Sequence, residues 1–195
     1  TVDSAELQSV VHAATSSSST LSFATPASNF DSGDGSGTVV VMQDGTTILP
    51  PMVATNGNYG AAAFIKTNGS VRRLYVRRNY AGSWTNLGPA DSGIVGEDVV
   101  WADIAINASG DVAVAYAVDS TAYAGNEHVY ANIYQDGVWK GVTQLDNSTY
   151  VTAGAHPTNT RPSVAMDAGG NAVVTFSFTD NAATPRRRAV TAAWY

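Results

Sequence analysis

One pattern constrains this chain more than any other: a hairpin-like segment that recurs along its length. Ala102 to Tyr116 lies over Pro162 to Phe176 without a gap, residue 102 against residue 162. A third copy, Pro51 to Phe64, fits with one deletion. Each copy is a short apolar run, an Asn/Asp-Gly cluster, and a second apolar run ending in an aromatic. Residues that tolerate positive φ between two strand-like runs predict a β-hairpin. A chain that repeats a hairpin at this spacing is built from units, and its fold must be one that stacks them.

A second half follows each hairpin. Leu74-Tyr75-Val76 leads to Gly82-Ser83-Trp84, and Val129-Tyr130-Ala131 leads to Gly137-Val138-Trp139. This predicts a third strand, a tight turn and a fourth strand opening with Trp. An upstream vestige, Val39 to Gly45, resembles Gln135-Asp136-Gly137, and Val190 to Tyr195 matches Val129 to Tyr134, just before the Gly-x-Trp turn. The expectation is a single all-β domain over 1–195 with about four four-stranded units: a degenerate one at 16–49, then 50–90, 91–147 and 148–195, the last a strand short. Units of four strands in roughly 40–60 residues predict a repeat-built, propeller-like β fold. A β-sandwich or jelly roll is the alternative, because hairpins alone do not separate blades from stacked sheets. Residues 1–15 are a candidate closing or donated strand. They fit a short amphipathic helix equally well, since Leu7, Val10, Val11 and Ala14 share one helical face.

The motif Pro-x-Val-Ala-x-Asp-x-x-Gly-Asn-Ala, closest at Asp167 to Ala172, followed by Tyr-x-x-Gly-x-Trp, resembles the tandem repeats of large secreted bacterial proteins. Those repeats are taken as propeller-like and loosely related to sialidase-type Asp-box repeats. The resemblance covers about residues 38–195 and implies fold and an extracellular setting, not a function. The Asp-box proper, Ser-x-Asp-x-Gly-x-Thr-Trp, is absent.

Composition narrows the function classes. A net charge of −6 opposes general nucleic-acid binding, which needs a basic surface. With no cysteine there is no disulfide, thiolate metal site or cysteine nucleophile. No apolar run is long enough for a membrane-spanning helix, so membrane insertion is not expected. The chain begins at Thr1 with no signal peptide, which reads as a processed N-terminus or the cut end of a longer chain.

Catalytic sets are missing. Glutamates are confined to Glu6, Glu97 and Glu127, and nothing pairs two carboxylates for glycosidase chemistry. No nucleophile elbow or phosphate loop occurs, and His12, His128 and His156 show no metal-ligand spacing. The expectation is therefore no enzyme and no cofactor. Asp31 and Asp34, in an acidic glycine-rich loop, are the one candidate calcium site, although the loop departs from EF-hand spacing. Asn107 and Asp167 sit where an Asx turn would use their side chains.

Candidate ligand contacts are Trp84 and Trp139, at matching repeat positions, which either stack on a sugar or pack between units. Arg72 and Arg73, with Arg187 and Arg188 placed opposite them by the repeat, would form a rim for carboxylate or sulfate, or else cover apolar surface with their stems. Tyr59, Tyr80, Tyr123 and Tyr150 fall in or near loops as further contact candidates. Two function classes follow: an extracellular structural or assembly protein, self-associating or joined to other surface proteins, and a carbohydrate-binding, lectin-like module whose partners are glycans. The first draws on the missing strand, since an open sheet edge invites strand addition.

Overall fold

A computed structural model describes residues 51–68, 71–92, 94, 97–119, 127–146, 161–180 and 187–194, with backbone alone for 67–68, 178–180 and 187–194. The candidate metal residues Asp31 and Asp34, the 1–15 segment and the 16–49 unit lie outside the described residues. The fold is all-β and propeller-like: three antiparallel meanders follow one another along the chain. The first sheet runs β1 (Met52–Asn56), β2 (Tyr59–Asn68), β3 (Val71–Tyr80) and β4 (Ser83–Pro89), each strand pairing with the next. The central sheet holds β5 (Asp98–Ile106), β6 (Val112–Asp119), β7 (Glu127–Gln135) and β8 (Val138–Trp139), with β9 (Thr143–Gln144) also on β7. The third sheet holds β10 (Ser163–Met166), β11 (Ala172–Asp180) and β12 (Arg187–Trp194). No helix among the described residues is long and apolar enough to cross a membrane.

Local chemistry explains the meanders. Between β3 and β4, Ala81 (φ 48) and Gly82 (φ 90) both adopt left-handed backbone, and between β7 and β8 Asp136 (φ 54) and Gly137 (φ 82) do the same. Two such residues make the two-residue turn whose twist matches that of paired strands. The β5–β6 and β10–β11 connections are longer and share one network. Asn107 Oδ1 accepts from the amides of Ser109 and Asp111, and Asn107 Nδ2 donates to Asp111 Oδ2 at 2.8 Å. Asp167 Oδ1 accepts from the amides of Gly169 and Asn171, and Asn171 Nδ2 donates to Asp167 Oδ2 at 2.9 Å. The amide and the carboxylate have exchanged places, and the turn is the same.

The sheets stack face against face. Alternate residues of β6 face opposite ways: Val112, Val114, Tyr116 and Val118 meet Ala61, Ala63, Ile65, Leu74 and Val76 of the first sheet. Ala113 and Ala115, with Val129, Ala131 and Ile133, meet Val164, Ala172, Val174 and Phe176 of the third. Because β6 is covered on both sides, it reads as a continuous apolar run rather than an alternating one. Seam-specific polar contacts then fix the stacking. Asn132 Nδ2 donates to Ala90 O at 2.8 Å across the first seam, and Asp103 Oδ2 accepts from Ser163 Oγ and from the Val164 amide across the second.

Candidate functional site

In a meander every second turn falls at the same end of the sheet, so the β1–β2, β3–β4, β5–β6 and β7–β8 turns gather together. Tyr59 opens β2 and Tyr80 closes β3 as register partners, and their rings lie 4.7 Å apart, tilted by 32°. Arg78 reaches across the seam: Nη1 donates to Gly110 O at 2.9 Å. Its guanidinium sits 5.9 Å from the Tyr59 ring centre and 5.4 Å from that of Tyr134. Tyr134 meets Trp139 edge to face at 5.4 Å, and the Trp139 indole N–H donates to Leu87 O at 2.9 Å. Of these rings Tyr80 stands out in solvent, 54% exposed, backed by Tyr59.

Gly110 is what allows the approach. Its φ is +85, and a Cβ there would lie 2.5 Å from Tyr59 Cε1. The second seam repeats the geometry with other chemistry. Gly170 (φ +88) abuts Gln135 and Asp111, so a polar pair stands where Tyr80 and Tyr59 stand in the first seam. The aromatic platform thus belongs to the first seam and has no counterpart at the second among the described residues.

The opposite end holds the pairs that Arg72, Arg73 and His128 form with aspartates. Arg72 Nη2 pairs with Asp98 Oδ2 at 3.0 Å, and Asp98 also accepts from the Arg72 amide. Arg73 Nε meets Asp91 Oδ2 at 2.8 Å while its Nη groups donate to Ile94 O and Asp91 O, pinning the β4–β5 connection. Burial raises the Asp91 carboxyl above its ordinary value, more than the Arg73 charge lowers it. His128 Nδ1 lies 3.0 Å from Asp146 Oδ2, and Gln144 Nε2 donates to Asp146 Oδ1. Burial first, then the charges of Glu97 and Asp146, push the Tyr130 hydroxyl up to about 12.

The residues singled out in sequence thus fall at several places. Trp139 belongs to the first seam. Trp84 is half-buried on the far face of the first sheet, beside Ala62, Phe64 and Tyr75. Arg72 and Arg73 are held by Asp98 and Asp91. For Arg187 and Arg188 only backbone register is described: they pair with Asp180 and Thr179. Aligning Phe64 with Phe176 sets Thr67–Arg72 over Thr179–Arg188, which leaves Arg187 one position earlier, in the place of Val71. A slip of one residue reverses the face. Among the described residues no group of His, Asp and Glu could hold a metal ion.

Arg78, the centre of the aromatic cluster, carries no signal of its own in the sequence. What marks it is the register: Tyr59, Tyr80 and Tyr134 each flank a turn at the same end, and Arg78 lies two residues before Tyr80 on the same face of β3.

No protein-family model matches the chain, and no curated protein matches it in sequence. Several solved structures are similar to it, among them a levansucrase and a fucose lectin. A levansucrase from B. megaterium is 12% identical over 68% of this chain, with a TM-score of 0.42, and the chain spans 41% of that protein's length. A fucose lectin from Kordia zhangzhouensis, in complex with methyl-fucoside, is 10% identical over 73% of this chain and 95% of its own, with a TM-score of 0.41. At such identities a likeness speaks to fold alone, and here the sheet topology carries the fold by itself.

Proposed function

We propose that this chain is an extracellular, non-catalytic carbohydrate-binding module that uses the turn end of the first seam. One observation carries the reading: Tyr80 presents its ring at 54% exposure, held in place by Tyr59 and, through Tyr59, by Arg78. A rigid aromatic that is apolar on its face and polar at its tip suits a pyranose, which is built the same way. Six of the described carboxylates have structural partners, which supports a non-catalytic role. Asp91 and Asp98 are spent on arginines, Asp103 on the β10 edge, Asp111 and Asp167 inside turns, and Asp146 on His128. Tyr80→Ala should lower glycan affinity by about tenfold or more, read by calorimetry, with an unchanged urea midpoint. Undiminished binding by that variant overturns the assignment.

A second reading, self-assembly through strand addition, is favoured by the third sheet. There β12 pairs with β11 on one side, while its other edge has no partner strand among the described residues. Light scattering decides between the two: a native mass at the 20.2 kDa of one chain removes the assembly reading, and filaments or large rings support it.

A further inference from the structure

Building on the carbohydrate-binding reading, we infer that the site at Tyr80 takes a neutral saccharide rather than a sialylated, uronate or sulfated one. The argument is a census of charge. An anionic ligand needs a cation with donors to spare, ideally an arginine offering two parallel N–H groups.

At the turn end the nearest arginine is Arg78. Its Nη1 is committed to Gly110 O, and its guanidinium face lies between the rings of Tyr59 and Tyr134. Lys140, on the same end, is tied to Asp136 at 2.8 Å. Arg77 is likewise engaged within the fold. Against these stand the carboxylates of Asp111, between β5 and β6, and Asp167, between β10 and β11, while Asp136, between β7 and β8, is offset by its pairing with Lys140. Hydrogen bonds from Asn171 hold the Asp167 carboxyl below its ordinary value.

The arginines that could have served an anion lie elsewhere. Arg72 and Arg73 are at the opposite end of the sheet, neutralised by Asp98 and Asp91. Arg161 stacks over Trp101 at 4.7 Å in the second seam. With a chain charge of −6 as background, an anionic sugar approaching Tyr80 meets repulsion, and among the described side chains it finds no guanidinium free of contacts within the fold. A neutral sugar needs only a ring face and a hydroxyl partner, and the exposed tyrosine offers both its ring and its phenol.

The test is binding of the intact protein to a panel of neutral and anionic oligosaccharides of matched length, at about 0.05 and about 0.5 M salt. Wild type, Tyr80→Phe and Tyr80→Ala are compared, with urea midpoints measured to confirm that all three fold. The inference expects neutral oligosaccharides to be preferred, with an affinity that salt leaves within about twofold, retained in Tyr80→Phe and lost by about tenfold in Tyr80→Ala. A preference for anionic oligosaccharides, weakening as salt rises, overturns the neutral assignment and leaves carbohydrate binding standing. Binding of neither class overturns both.

Discussion

At the residue scale two glycines show how position decides cost. Gly57 and Gly110 both sit at positive φ, +60 and +85, which an L side chain adopts only under strain. Around Gly57 a Cβ would meet nothing within 4 Å, whereas at Gly110 it would strike the Tyr59 ring at 2.5 Å. Tyr59 cannot retreat freely, since Tyr80 stacks on it and the Arg78 guanidinium lies over it. Gly57→Ala should therefore lose about 1 kcal/mol, the backbone term alone. Gly110→Ala should lose roughly 2–4 kcal/mol, because displacement of packed rings adds to the same term. Urea midpoints at constant m-value measure both, and equal losses would show that Tyr59 yields without resistance.

At the element scale the Asn107–Asp111 and Asp167–Asn171 turns are one device written in two orders. Asn107→Asp alone faces two carboxylates where a donor met an acceptor at 2.8 Å, and should cost about 1–3 kcal/mol. Adding Asp111→Asn recreates the order found between β10 and β11 and should recover stability to within about 0.5 kcal/mol of wild type. A double-mutant cycle reads this as a coupling energy, and additive losses would mean the side-chain pair is incidental. The β4–β5 connection offers a pH counterpart. Burial holds the Asp91 carboxyl above its ordinary value of 3.8, so the folded chain binds its proton more tightly than the unfolded one. The stability this group contributes is therefore greatest in acid and declines as pH rises from 3.8 through the raised folded value. The stability difference between wild type and Asp91→Asn should accordingly shrink with rising pH in urea titrations, and a difference that grows would reverse the assignment. The turns are legible in the sequence because their chemistry is local: Asn, Asp and Gly at fixed offsets leave few backbone choices. The fate of Trp139 and Arg73 is not, because Leu87 and Asp91, their hydrogen-bond partners, are brought there by the register of neighbouring strands.

At the scale of the whole molecule the repeat predicts stacked units, and the structure shows which contacts make the stack. The recurrence of hairpin units is legible because it needs only the spacing of hairpins. Tyr59 and Tyr80 are legible as contact candidates, but their convergence into one platform is not, because it arises where two units differ: Tyr59 and Tyr80 at one seam, Asp111 and Gln135 at the next. Such a stack has the energetics of a one-dimensional array, in which each sheet is held by its own pairing and by its neighbours' faces. Removing the central sheet would open two seams; releasing the third opens one. Asp103 is the polar fastener of that seam, accepting at 2.9 Å from both Ser163 Oγ and the amide of Val164 on the bare edge of β10. Asp103→Ala leaves that amide without its partner and should cost about 1–3 kcal/mol. The loss should fall unevenly. Hydrogen exchange should quicken at Val164, Val174 and Phe176, while amides of Ala63 and Val76 in the first sheet keep their protection, because their seam is untouched. Equal loss of protection in all three sheets would instead mean that the described units unfold as one.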